Sequence, residues 1–251
     1  MIGRLRQYST SFKGRLTGAS VIAMACMVAL PAAANATVLL SSLAPGTHYR
    51  LAFETQTTTD ATSTAVSIYN AIVQTEASNA GLGTNWSAIV STDTVNAINN
   101  IACTPSCAND PIFLVTGSEV ATSTTNLFSV SILTPIDVTA NGAAAGNGYV
   151  WTGTNSSGTE ASFTSGTTTS YYGLGDSVAE LGGSVLGSPY GIDSGLSYST
   201  TAGMPGSLFA ISGDLVVPAS APEPVSISLL AIGALATGAA RKRRRAQSPP
   251  V

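Results

Sequence analysis

Between Arg15 and Arg241 the 251-residue chain carries a single basic residue, Arg50. Four of its ten cations (Arg4, Arg6, Lys13, Arg15) precede that stretch, and five (Arg241, Lys242, Arg243, Arg244, Arg245) follow it. Residues 37–220 hold twelve Asp and Glu residues against Arg50, a net charge of −11 that the whole-chain value of −3 conceals. Such a body cannot neutralise a run of phosphates, which sets nucleic-acid binding aside. Few charges, with abundant Thr, Ser, Gly, Asn and Ala, suit a β-rich or loop-rich extracellular domain, and Ile, Val, Leu and aromatics recur often enough to build one core.

The cations at each end flank an apolar run. Near the N-terminus a basic region precedes Val21 to Leu30, Pro31 and the small-residue sequence Ala32-Ala33-Ala34-Asn35-Ala36. This order predicts a secretory signal peptide over 1–36, with Ala34 and Ala36 preceding a cut at Thr37. Ten apolar residues are too few for a retained membrane helix, which needs roughly 20. A lipoprotein reading through Cys26 is weak, because Met24 is a poor residue for that signal and the apolar run continues past the cysteine. Near the C-terminus, Val225 to Ala240 is free of charge and, at about 1.5 Å per residue in a helix, is predicted as a short membrane crosser. The cations at 241–245 would stay on the cytoplasmic side and stop translocation there.

Pro222-Glu223-Pro224, the apolar run 225–240 and the cluster Arg241, Lys242, Arg243, Arg244 and Arg245 together closely resemble the PEP-CTERM sorting signal of Gram-negative bacteria, here over 221–245. The resemblance implies an exosortase substrate, with the secretion translocon and signal peptidase as earlier partners. It also implies transient anchoring in the inner membrane, processing near 222–224, and delivery to the cell surface or an exopolysaccharide matrix. It concerns the tail and leaves the chemistry of the body open.

Export agrees with the cysteines. With Cys26 in the leader, Cys103 and Cys107 remain, close enough in sequence for a small structural disulfide. A zinc site lacks a second cysteine pair and has one histidine, His48, to draw on; a redox motif would have two intervening residues rather than three.

The body, 37–220, is expected to be one acidic α+β domain. Leu51–Phe53 reads as a strand and the Thr-rich 55–64 as a loop rich in helix-capping hydroxyls. Val66, Tyr69, Ile72, Val73 and Ala77 recur at helical spacing within 65–80, with Gly81 as a stop. Strands are expected at 86–90 and 112–115, a helix carrying Val95 and Ile98 behind an Asp93 cap, a turn at 141–148 leading into Tyr149-Val150-Trp151, long loops over 153–207, and alternating strand character over 207–217.

Within this body "YNAIVQTEASNAGLGTNWSAIVST" (69–92), "DPIFLVTGSEVATSTTNLFSVSILTPI" (110–136), "VWTGTNSSGTEA" (150–161) and "ELGGSVLGS" (180–188) resemble, in order, segments of the endostatin domain of collagens. The resemblance implies a C-type-lectin-like fold across 49–217. Endostatin's functional residues do not carry over. Its heparin affinity needs arginine clusters where this body has Arg50, and its zinc site needs N-terminal histidines where this chain has His48.

No residue presents itself as catalytic. His48, in a turn before a strand, reads as structural, and Gly175-Asp176-Ser177-Val178 resembles the nucleophile block of GDSL-type esterases but is followed by no histidine. Paired carboxylates would suit a glycosidase, although twelve acidic residues make chance proximity expected. Trp86 and Trp151 are candidates for stacking on sugars or for the core. No metal ligands are singled out and no cofactor is expected; calcium on loop Asp and Asn oxygens is a fairer reading than a glycosidase pair, but a weak one without an Asp-x-Asp-x-Asp loop. The expectation is a non-catalytic surface or matrix protein. A module that binds extracellular polysaccharide is the alternative, and a secreted carbohydrate-active enzyme a more distant one.

Overall fold

The computed structural model describes residues 43–218 except 84, 104–106, 129–131, 147–148, 183–190 and 201–202. The predicted signal peptide, the Pro222-Glu223-Pro224 motif, the apolar run and the basic cluster lie outside the described residues. Among the described residues no helix is long and apolar enough to cross a membrane.

The domain is α+β, with more strand than helix. In chain order its elements are β1 (His48–Glu54), α1 (Val66–Asn79), β2 (Trp86–Ala88), α2 (Ala97–Asn100), β3 (Ile112–Leu114), β4 (Glu119–Ala121), α3 (Thr124–Leu127), β5 (Val150–Trp151), β6 (Ser162–Ser165), β7 (Thr168–Tyr171), β8 (Val178–Gly182), β9 (Ser197–Ser199), β10 (Phe209–Ser212) and β11 (Leu215–Val216). The main sheet runs β2-β10-β1-β3-β4, with β11 continuing the β10 side against β1. β1 is central: β10 is antiparallel to it and β3 parallel. A second sheet runs β5-β8-β9, and β6-β7 form a separate hairpin.

The period of two along β1 divides the core. Tyr49, Leu51 and Phe53 enter one cluster, where they meet Tyr69, Val73 and Ala77 of α1; Ala52 enters the other with Ile112, Leu114, Phe209 and Ile211. Spacing of four places the three α1 residues on one face, and all three are fully buried. The expected hydroxyl cap is missing: Ala65 stands at the N-cap without a side-chain bond. The Tyr69 hydroxyl instead holds the preceding turn, donating to Ser63 O at 2.8 Å and accepting from Ser63 N at 3.0 Å.

β2 is an edge strand, and edges invite foreign strands unless their free amides are occupied. Here side-chain amides occupy them. Trp86 N donates to Gln74 Oε1 at 3.0 Å, Ala88 N donates to Asn70 Oδ1 at 2.8 Å, and Asn100 Nδ2 donates to Ala88 O at 2.8 Å. Asn70 and Gln74, one helical turn apart on α1, thus cap a strand that helical periodicity alone would not link to them.

Several boundaries differ from the sequence expectation. The helix expected behind Asp93 starts later, with Asn96 at the N-cap, and leaves Val95 outside. The stretch expected as long loops, 153–207, contains β6, β7, β8 and β9. These strands are short and mostly polar, and every residue of β6 and β7 is exposed, so no hydrophobic alternation marks them.

Cys103 and Cys107 are joined by a disulfide with Cα atoms 5.5 Å apart. The closed loop is short, so its entropic contribution is about 2 kcal/mol. Thermal unfolding of the reduced protein is therefore expected about 4–8 °C lower than that of the oxidised protein. A shift above 15 °C would assign the bridge a larger role than loop closure.

Candidate functional site

β1 carries polar side chains at both ends of its Ala52 face. His48 and Arg50 lie toward one end and Glu54 at the other. Sequence spacing alone places the chain's one histidine and the body's one arginine on a common face.

Near His48 the ladder is irregular. Ala52 pairs with Ile211 and Tyr49 with Leu215, so residues 50–51 are spanned by residues 212–214: a β-bulge with one extra residue. The bulge turns Asp214 toward the Ala52 face of β1, where His48 Nδ1 meets its Oδ1 and Oδ2 at 3.0 and 2.9 Å. It also places Ser212 under β1. Leu51 N donates to Ser212 Oγ at 2.9 Å, and Arg50 Nε donates to Ser212 O at 2.8 Å.

Arg50 is 1% exposed. Its Nη2 donates to Ile101 O at 2.8 Å and its Nη1 to Thr124 Oγ1 at 3.4 Å. Burial lowers its pKa to about 10, while the charges of Asp110 and Asp214 hold it up, so it stays cationic at neutral pH. Burial, and then Asp214, raise the Asp110 pKa, and His48 and Arg50 oppose the rise. A cleft of about 420 Å³ opens beside this group, bordered by Arg50, Asn85, Trp86, Cys103 and Asp214 among others.

The sequence reading left Asp110 and Asp214 unassigned; the structure gathers them with His48, one ligand atom from each lying within 4.8 Å of the others. Chemically the trio is a candidate divalent-cation seat. One imidazole and two carboxylates match the three protein ligands of an open transition-metal site, whereas calcium takes six to eight oxygens. The buried Arg50 charge nearby offsets part of the carboxylate charge without an ion. For a hydrolytic dyad, neither hydroxyl described within the Arg50 network is set up as a nucleophile. The Ser212 hydroxyl donates to Gly213 O at 2.8 Å, and the Thr124 hydroxyl donates to Cys107 O at 3.5 Å.

Of the other sequence candidates, Trp86 borders the cleft beside Arg50 and the rest fall elsewhere. Trp86 and Trp151 are both buried: Trp86 packs on Phe53 with ring centroids 4.9 Å apart, and Trp151 Nε1 donates to Thr59 O at 3.1 Å. Neither presents a face to a sugar. Asp176 of the 175–178 block accepts from Gly173 N at 3.0 Å and lies near enough to Glu160 for its charge to raise the Glu160 pKa.

Burial of these carboxyls bears on stability. Burial, then the Asp176 charge, raises the Glu160 pKa to about 7; burial, then Asp193, does the same for Glu180. The ordinary value for each is 4.5, so between these limits the folded chain binds more protons than the unfolded one and stability falls as pH rises. Glu160 is partly solvated and contributes less than Glu180. The unfolding temperature is expected to be about 3–8 °C higher at pH 5 than at pH 8, with Glu180→Gln removing at least half of that difference. A flat or inverted profile in a calorimetric pH series would refute the assignment.

Comparison with known proteins finds no matching family model and no matching curated protein.

Proposed function

We propose that this chain is an exported protein carrying a PEP-CTERM-type sorting tail, and that its acidic α+β domain acts outside the cell as a non-catalytic surface or exopolysaccharide-matrix component. In this reading a signal peptide directs translocation and is cut after Ala36. The run 225–240 then anchors the chain transiently in the inner membrane, and an exosortase processes it near Pro222-Glu223-Pro224.

One observation carries the reading: Pro222-Glu223-Pro224, sixteen uncharged residues and five consecutive cations stand in that order behind a body of charge −11. The segments 69–92, 110–136, 150–161 and 180–188, which resemble segments of the endostatin domain in the same sequence order, support a C-type-lectin-like, endostatin-like architecture for the domain.

Intact mass and fractionation in the producing cell, with and without its exosortase, test the proposal. The expected product begins near Thr37, ends near Pro222 and is found outside the cell only when the exosortase is present. A product that keeps Arg241–Arg245 in the inner membrane of both strains would reduce the tail to a plain anchor.

A further inference from the structure

A second cleft lies at the other end of the Ala52 face of β1. It encloses about 230 Å³ and is bordered by Glu54, Gln56, Thr58, Thr139, Tyr149 and Ser207, among others. Pairing across the fold builds it from distant segments. Glu54 N donates to Val138 O at 2.7 Å, and Ser207 N donates to Tyr149 O at 2.7 Å, so β1, the 138–145 turn, the approach to β5 and the approach to β10 converge there.

Three features of this cleft point to a ligand. Thr139 is 2% exposed, yet its Oγ1 has no hydrogen-bond partner among the described residues. A buried hydroxyl left in that state costs about 1–3 kcal/mol, which rotation of the Thr139 side chain toward a ligand hydroxyl in the cleft would recover. Glu54, 2% exposed, is a carboxylate held in place by a 2.6 Å bond from Ser207 Oγ. Tyr149, half-buried, is steadied by Tyr198 at a centroid distance of 5.3 Å, giving an amphipathic ring at the rim.

We propose that this cleft binds one neutral sugar residue of an extracellular polysaccharide. The volume is below the roughly 300 Å³ at which pockets for drug-sized ligands begin, and so suits a single ring. The lining is rich in hydroxyls with one carboxylate and one aromatic face, as vicinal ring hydroxyls and an apolar ring face require. Among the described residues no cation borders the cleft, and the body's charge of −11 disfavours uronic or sulfated sugars. The inference extends the matrix reading but does not depend on the export route, because binding is measured on purified protein.

Calorimetric titration of the full chain in detergent with neutral hexose oligomers, glucosamine oligomers and glucuronate oligomers tests it. A neutral oligomer is expected to bind with a Kd of about 0.1–10 mM, the range for a contact of roughly a dozen heavy atoms. Tyr149→Ala should weaken binding about tenfold and Thr139→Val several-fold, while Tyr149→Phe stays near wild type. If Tyr149→Ala fails to fold, the Thr139→Val and Tyr149→Phe pair still decides. Absence of neutral-sugar binding, preference for glucuronate, or affinity unchanged in both Tyr149→Ala and Thr139→Val would overturn the proposal. Binding confined to glucosamine oligomers and abolished by Glu54→Gln would make this a cleft for amines and overturn the neutral class.

Discussion

Arg50→Met lowers the unfolding free energy by about 3–5 kcal/mol, the cost of removing one partner from a buried charged network. The substitution keeps the aliphatic stem but removes the donors that Ser212 O and Ile101 O accept from, and it strips Asp110 and Asp214 of their buried counter-charge. For a domain of this size that loss is about 6–20 °C in unfolding temperature. Arg50→Lys keeps the charge as a compact point but cannot reach both carbonyls with a planar fork, so about half the loss is expected to remain. Chemical denaturation of the two variants separates the contributions. A methionine variant as stable as wild type would show that the network, though ordered, adds no net stability.

Gly153→Ala is expected to cost about 3 kcal/mol or more, combining left-handed backbone strain with overpacking. Gly153 has φ +59°, and an added Cβ would lie 2.5 Å from Ser91 O and 2.7 Å from Leu174 N. Those two atoms form a hydrogen bond with each other at 2.9 Å, and both belong to backbone, so neither can step aside as a flexible side chain would. Gly166 supplies the control. Its φ is +61°, but nothing lies within 4 Å of its added Cβ, so Gly166→Ala pays only the strain of about 1–2 kcal/mol. Equal losses at the two positions would mean that the Ser91–Leu174 contact yields at little cost.

The two glycines also illustrate why part of this fold was hard to read. Both require positive φ, and the letters around them do not reveal which one has backbone pressed against it. Gly166 sits in the two-residue connection between β6 and β7, and a glycine there between Ser/Thr-rich runs was the one local signal for that hairpin. α1 was legible because Tyr69, Val73 and Ala77 repeat at a helical step and must be buried together. β8 was obscured because Glu180 stands in the middle of a buried strand.

The polar sites divide in the same way. His48 and Arg50 differ by two in number, so strand periodicity alone puts them on one face. Asp110 and Asp214 reach them from strand-flanking positions far away in sequence, and the Asp214 side chain is directed there only because a bulge inserts one residue opposite 50–51. Glu54, Thr139, Tyr149 and Ser207 are likewise joined by sheet pairing and loop bonds rather than by any motif.

From sequence by itself followed the charge asymmetry, the apolar runs near both ends, the α+β class, the principal helix and the alternation of β1, because each depends on residues within a few positions of one another. Tertiary structure decided the strand order, the bulge, the burial of Arg50 and both tryptophans, and the two clefts. These depend on long-range backbone pairing, where shifting the register by one residue exchanges the faces of a strand, and no local pattern specifies that register.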